Sequence, residues 1–153
     1  MTFPDSSIDP AALLLDLDSY EYPPEYRWVR LHGFRGMTPW RCIDDLDEAS
    51  TVRKEFLLEV GGGSIAVRDF LPFARAEHSD DFAGFVQSEG HVTGEVCVAH
   101  LTFRGSAEMS GYPTCTVYPS LWEWLTMVLA TTREWCGPEA IADLEASLSP
   151  HRE

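Results

Sequence analysis

The chain has 153 residues, of which 44% are hydrophobic and 12% aromatic, so a substantial buried core is expected and general disorder is excluded. Its 25 acidic residues outnumber its 11 basic residues, ten of which are arginine, and the formal net charge is −14. Because the acidic excess is spread along the chain, it would repel phosphate backbones and anionic membranes, which disfavours binding to nucleic acid or membrane. The same charge would speed encounter with a basic protein partner.

A short helix is predicted in Asp9–Tyr20, with Asp9 as its N-cap and a proline in its first turn. A second helix is predicted to begin at Pro24 and to bury Tyr26. Gly33 suits the left-handed position that follows a helix, so it marks the expected end.

The next helix is predicted from the stretch IDDLDEAS onward, where Asp44 or Asp45 can act as N-cap and Asp47 suits the positive end of the helix dipole. Apolar residues follow at helical spacing: Leu46, Ala49, Val52, Phe56 and Val60. The glycine run at Gly61–Gly63 is expected to stop this helix. It lacks the Gly-Lys-Ser/Thr ending of a phosphate-binding loop.

From Ser64 the pattern changes to short segments rich in β-branched and aromatic residues, namely 64–74, 81–87 and 94–103. The intervals are too short for crossover helices, so antiparallel pairing is expected, with residues 88–94 as a hairpin loop between the second and third strands. A further short strand is predicted at Thr114–Val117.

Helix returns at the end of the chain. Pro119 is expected to open a helix that closes at Gly137, and PEAIADLEASLS suggests one more. The apolar stripe of the first of these is assigned to Leu121, Leu125, Val128 and Leu129. Trp122 and Trp124 cannot share its face, and we assign Trp122 to the core and Trp124 to a contact surface.

The predicted order of elements indicates an α+β fold, with a twisted, largely antiparallel sheet flanked by N-terminal and C-terminal helices. One domain is expected over residues 1–153, with 1–9 and 149–153 flexible. Apolar runs are far shorter than the roughly 20 residues that span a bilayer, and no secretory signal is evident, so we expect a cytoplasmic protein.

Four widely spaced cysteines accompany this fold and contain no C-x-x-C pair: Cys42, Cys97, Cys115 and Cys136. A disulfide framework or a thiolate zinc site normally shows tighter spacing. We therefore interpret the cysteines as reduced structural thiols, with Cys97 buried in a strand.

Three stretches together resemble one known family. PPEYRWVRLHGF resembles its opening helix, LPFARAEHSDDFAGF its central signature, and YPSLWEWL its closing aromatic helix. In this order and at this separation they are similar to the SUKH superfamily, the Smi/Knr-like domain of cell-wall assembly regulators and bacterial immunity proteins. The resemblance covers roughly Pro24 to Leu129.

This resemblance implies a protein-binding module without enzymatic activity, catalytic residues, metal or cofactor. Many members are similar to immunity proteins that neutralise a bacterial toxin, often a nuclease, and others regulate or scaffold. The protein is therefore expected to bind a basic toxin domain. The alternative is that it is itself a regulatory or scaffold protein without a toxin partner.

The acidic turn Glu77–Asp81 is open to three interpretations. Its carboxylates can accept hydrogen bonds within the turn that precedes a strand at Phe82–Val86. Glu77, His78, Asp80 and Asp81 can alternatively form a metal or acid–base site, which would make the protein a small hydrolase. The turn can also be part of an acidic surface that meets a basic partner.

The predicted partner-binding residues combine this turn with the start of the predicted helix at Leu46 and with one tryptophan. They are Asp44, Asp45, Asp47, Glu77, Asp80, Asp81 and Trp124. Binding of a small ligand between sheet and helices stays open as a further possibility.

Overall fold

The computed structural model describes residues 22–61, 66–103 and 114–149, which form one sheet with helices against it. The helices are α1 (Pro24–Leu31), α2 (Leu46–Gly61), α3 (Leu121–Trp135) and α4 (Pro138–Leu148). The strands are β1 (Gly36–Met37), β2 (Trp40–Cys42), β3 (Phe70–Ala76), β4 (Asp81–Ser88), β5 (His91–His100) and β6 (Thr114–Tyr118). The predicted helix in Asp9–Tyr20 and the termini 1–9 and 150–153 lie outside the described residues.

The six strands lie in the order β1-β2-β3-β4-β5-β6, and every neighbouring pair is antiparallel. The α+β fold with an antiparallel sheet is therefore confirmed. β3 and β4 are buried along nearly their whole length, which requires cover on both faces of the sheet.

Helix α1 ends where the sequence predicts. Its last turn is closed by hydrogen bonds from the Gly33 N–H to the Arg30 carbonyl (3.1 Å) and from the Phe34 N–H to the Val29 carbonyl (2.9 Å). Gly33 has φ +94°, a conformation that glycine adopts without steric cost. This double hydrogen bond is the Schellman motif, which turns the chain directly into β1.

Helix α2 covers one face of the sheet. Asp45 is its N-cap, since the Asp47 N–H donates to the Asp45 carboxylate over 2.8 Å. The predicted apolar positions are buried except for the partly buried Leu46, and the Phe56 ring stacks on Phe70 of β3 with centroids 4.0 Å apart.

A charged residue that the apolar pattern does not reveal is also buried on α2. The Glu59 carboxylate accepts hydrogen bonds from the Thr102 N–H (2.8 Å), the Thr102 hydroxyl (2.8 Å) and the Phe103 N–H (3.2 Å). These bonds hold the last turns of α2 against the segment that follows β5. They also satisfy an anion that would otherwise be costly to bury.

Helices α1 and α3 cover the opposite face, and both contact Phe73 of β3. The Phe73 ring stacks on Phe85 of β4 (centroids 4.5 Å apart) and lies 4.9 Å from both Tyr26 and Trp124. Trp124 also contacts Trp40 of β2, with ring centroids 5.6 Å apart. One aromatic cluster therefore links both helices to three strands.

Strand boundaries differ from the prediction at two places. The β4–β5 hairpin turns at Glu89 and Gly90, both with positive φ, so His91–Gly94 belongs to β5 and not to a loop. Two-residue turns of this kind match the twist of the strands they join. β3 begins at Phe70, and residues 66–69 are not in a strand.

The hairpin formed by β1 and β2 was not predicted. It turns at Thr38–Pro39, where the peptide bond is cis, and its strands have only two and three residues. Such short strands leave no alternating pattern in the sequence.

Helix α3 begins and ends close to the predicted positions. Ser120, one residue after Pro119, is its N-cap, since the Trp122 N–H donates to the Ser120 hydroxyl over 3.2 Å. The helix ends at Trp135, and Gly137 is the N-cap of α4. None of the helices in the described ranges is long and apolar enough to cross a membrane.

Candidate partner-binding surface

The turn between β3 and β4 is held in place by the hydrogen bonds of its backbone and of Asp81. The Glu77 N–H donates to the Pro39 carbonyl (2.8 Å), and the Asp80 carbonyl accepts from the Leu101 N–H (2.9 Å). The Asp81 carboxylate accepts from the Ser79 hydroxyl (2.8 Å) and lies 2.9 Å from Nδ1 of His100, its cross-strand partner. Asp81 therefore begins β4 instead of lying in the turn, whereas the side chains of Glu77 and Asp80 are exposed.

The residues of the hypothetical metal or acid–base site have separate contacts. The His78 ring stacks on Trp135 with centroids 5.1 Å apart, whereas Asp81 faces His100. Across residues 22–61, 66–103 and 114–149, no group of three or more His, Cys, Asp or Glu side chains is placed to hold a metal ion. Glu77, His78, Asp80 and Asp81 do not form such a group.

The acids at the start of α2 differ in their availability to a partner. Asp44 pairs with Arg30 and lies 3.9 Å from Arg35. Asp45 caps the helix through its carboxylate, and Asp47 is exposed in the first turn. A partner would compete with arginines of the same chain for Asp44, whereas Asp47 is accessible.

The start of α2 and the β3–β4 turn lie at the same end of the sheet. Arg41 of β2 and Arg75 of β3 are register partners, and both bind the Glu48 carboxylate, over 3.0 and 3.1 Å. Glu77 follows Arg75 by two residues. We call the four exposed acids of this region the acidic end of the sheet: Asp45, Asp47, Glu77 and Asp80.

The assignment of the two adjacent tryptophans was wrong. Trp124 is 0% exposed within the aromatic cluster, whereas Trp122 is 51% exposed. The buried stripe of α3 runs through Leu121, Trp124 and Val128, so the helix is rotated relative to the stripe predicted from Leu125 and Leu129. Trp124 is therefore part of the core and is withdrawn from the partner-binding residues.

A third tryptophan, which the sequence reasoning missed, borders the acidic end. Trp135 is 46% exposed and stacks on His78 of the β3–β4 turn. One turn earlier, the Thr132 hydroxyl donates to the Thr38 carbonyl over 2.8 Å. The end of α3 therefore lies beside the β1–β2 and β3–β4 turns. Trp135 follows Val128 by seven residues and so continues the line of the buried stripe, but it lies in the last turn of α3, and this place at the helix end was the available signal.

The four cysteines are free, and Cys97 is buried as predicted. A hydrogen bond with Cys115 on the neighbouring strand, together with burial, raises the pKa of the Cys97 thiol. The same hydrogen bond lowers the pKa of Cys115.

A concavity of about 630 Å³ lies at the opposite end of the sheet, beside the β4–β5 hairpin. Its lining includes Gln87, whose buried side-chain amide has no hydrogen-bond partner among the residues that the structure describes, and Asp69, which pairs with Arg53 over 2.7 Å. No residue of the described helices lines it. Another concavity, of about 620 Å³, is lined by both α1 and β5 and so corresponds better to the predicted ligand site between sheet and helices; ligand binding there stays a prediction.

Comparison of the chain with protein-family models, with curated proteins and with solved structures finds no match. Membership of the SUKH superfamily therefore stays a hypothesis that depends on the three sequence stretches.

The chemistry that this surface offers is recognition. Exposed carboxylates attract cations over a Debye length, and an exposed tryptophan that is stacked on a neighbour loses little freedom on binding. The acidic end supplies the carboxylates, and Trp135 supplies a partly rigid aromatic side chain beside them.

Proposed function

We propose that the protein is a non-enzymatic binding module, and specifically an immunity protein that neutralises a basic bacterial toxin domain such as a nuclease. The observation that carries the proposal is the acidic end of the sheet, where four exposed carboxylates lie together on a chain of net charge −14. The resemblance to the SUKH superfamily supports the choice of a toxin as the partner.

Charge is the physical basis of the proposed inhibition. A nuclease binds nucleic acid through a basic groove, and an acidic surface is complementary to such a groove. The arginines of this chain do not cancel the acidic end, because several are paired within the fold: Arg30, Arg41, Arg53 and Arg75. The bound protein would then block the path of the nucleic acid.

Co-expression tests the proposal. Cells that produce the toxin encoded beside this gene should survive when the protein is present, and the two proteins should co-precipitate. Unchanged killing would contradict the immunity function. Co-precipitation without protection would instead favour a regulatory or scaffold protein.

Charge-reversed variants test the surface. Glu77→Lys with Asp80→Lys should slow association with the toxin about tenfold or more at low salt, since steering depends on complementary charge. Glu25→Lys with Glu95→Lys, on two exposed residues beside the β4–β5 hairpin at the opposite end of the sheet, changes the net charge equally, is the matched control and should have a smaller effect. Equal slowing by both changes would show that only the total charge matters. Association rates from stopped-flow fluorescence give the comparison.

A further inference from the structure

Helix α4 is amphipathic, yet the rest of the described protein buries none of its residues. Ile141, Leu144 and Leu148 follow at spacings of three and four, so they form one apolar stripe, and Leu144 is 54% exposed. An isolated helix of this length is only marginally stable in water, and packing of an apolar face normally supplies the missing stability. The stripe is therefore suited to packing against another segment or another protein.

The other side of α4 is acidic and joins a concavity. This concavity, of about 610 Å³, lies at the α3–α4 junction and is lined by Trp135, Pro138 and three carboxylates, those of Glu134, Glu139 and Asp143. Trp135 also stacks on His78, so the concavity adjoins the acidic end of the sheet. Helix α4 itself carries three acids and no basic residue.

The charge of the chain disfavours covering of the stripe by residues 1–21 or by a second copy. Residues 1–21 contain five acids and no Lys or Arg, so this segment would be repelled by the carboxylates of α4. A second copy packed on the stripe would bring two chains of net charge −14 together, with Glu145 of each α4 beside the contact. A basic partner meets neither obstacle.

We propose that α4 and its junction with α3 form a docking surface for a basic, amphipathic helical segment of a protein partner. Apolar side chains of that segment pack on the stripe. Its Lys or Arg side chains meet the exposed Glu145 beside the stripe and, where the end of the segment passes the start of α4, the junction carboxylates. A guanidinium group fits here because it can pair with a carboxylate and stack on the exposed face of Trp135. This inference depends on the proposed binding function but not on the partner being a toxin.

A designed peptide tests the surface directly. The probe is a helical peptide of about 18 residues with Leu on one face and Lys on the other, added to the ¹⁵N-labelled full chain. We expect the amide signals of 135–148 and the Trp135 indole signal to shift. Leu144→Ser should weaken binding about tenfold, because a buried leucine is lost from the contact.

Two controls accompany this measurement. Leu58→Ser changes a leucine of α2 that is 59% exposed and should leave peptide affinity unchanged. A peptide with Glu in place of Lys should not bind. Shifts that avoid α4, equal effects of the two serine variants, or equal binding of the acidic peptide would each overturn the proposal.

Two further measurements test whether a second copy or residues 1–21 cover the stripe instead. A dimer in sedimentation velocity that Leu144→Ser abolishes would assign the stripe to a second copy and overturn the proposal. Removal of residues 1–21 that shifts the α4 signals would assign it to that segment, with the same consequence. If Leu144→Ser still protects against the toxin and the peptide does not bind α4, the docking surface is refuted but the immunity function is not. If the peptide binds at α4 but the protein gives no protection against the toxin, the immunity function is refuted but the docking surface is not.

Discussion

Gly84, in the centre of the sheet, shows how one residue without a side chain permits the packing of two aromatic rings. A Cβ atom at this position would lie 2.3 Å from Cδ2 of Phe70, far inside van der Waals contact. The Phe70 ring is in turn stacked on Phe56 of α2 and is completely buried. The ring cannot move away without disturbing the contact between α2 and the sheet.

We therefore expect Gly84→Ala to lower the free energy of unfolding by about 1–3 kcal/mol, the range for overpacked cores. Gly61→Ala is the matched control, since a Cβ there meets no atom within 4 Å and the backbone is helical. It should be neutral or slightly stabilising. Urea unfolding of both variants gives the comparison. Equal stability of the two alanine variants would show that the contact with Phe70 relaxes without cost.

Among the described helices, α3 begins with a side-chain cap and with an acidic residue in its first turn. The Ser120 hydroxyl accepts from the Trp122 N–H and donates to the Glu123 carboxylate, which also interacts with the Ser120 backbone, so this S-x-x-E sequence forms a variant of the capping box. The hydrogen bond from the Ser120 hydroxyl is the largest cause that lowers the pKa of Glu123 from its ordinary value of 4.5, and backbone hydrogen bonds lower this pKa further. The sequence S-x-x-E was a visible signal for this helix start.

The capping box should be visible as a pH-dependent part of the stability. Because the pKa of Glu123 is lowered by folding, its contribution is present above the unfolded pKa and is lost as pH falls through the folded one. We expect the Tm difference between the wild type and Glu123→Gln to shrink between pH 7 and about pH 3. Ser120→Ala should cost about 1 kcal/mol at pH 7. A Tm difference that does not change with pH would contradict the bond to Glu123.

Many of the helices and strands could be predicted from the sequence, and the errors in their prediction have physical reasons. Residues with strong backbone preferences marked the ends of elements correctly, as Gly33 and Asp45 did. The β1–β2 hairpin was missed because its strands are too short to show a period. The rotation of α3 was missed because Trp122 and Trp124 are both apolar, and only the packing against Phe73 distinguishes them.

The same limit applies to the candidate surface. Sequence could predict that Glu77, Asp80 and Asp47 are exposed, because short acidic stretches beside turns and helix starts seldom bury their charges. It could not predict that the β3–β4 turn, which carries Glu77 and Asp80, lies beside Trp135. That proximity depends on two long-range contacts, the His78–Trp135 stack and the hydrogen bond from Thr132 to Thr38.

For the molecule as a whole, electrostatics has two parts with opposite effects. The ion pairs of the fold use few carboxylates, because Asp44 and Glu48 are each paired with two arginines. The remaining excess of acids produces mutual repulsion that opposes the compact state. A chain of net charge −14 is thus stabilised locally by pairs and destabilised globally by its total charge.

Salt should therefore stabilise this protein. We expect Tm to rise when NaCl is increased from about 0.01 to 0.3 M at pH 7, because the Debye length falls below the spacing of most surface acids. Near the isoelectric point of about 4.6 the same salt increase should have little effect. Differential scanning calorimetry at both pH values measures this. A Tm that falls with salt at pH 7 would show that the internal ion pairs dominate.

The burial of Trp124 has a consequence for biosynthesis. Its indole contacts Trp40 and Phe73, which precede it by 84 and 51 residues, so the aromatic cluster is completed only after α3 has been synthesised. Until α3 has emerged, a nascent chain presents these two rings without their final neighbour. Translation must therefore reach the end of α3 before water can be excluded from this side of the sheet, and chaperones have that interval in which to bind the exposed rings.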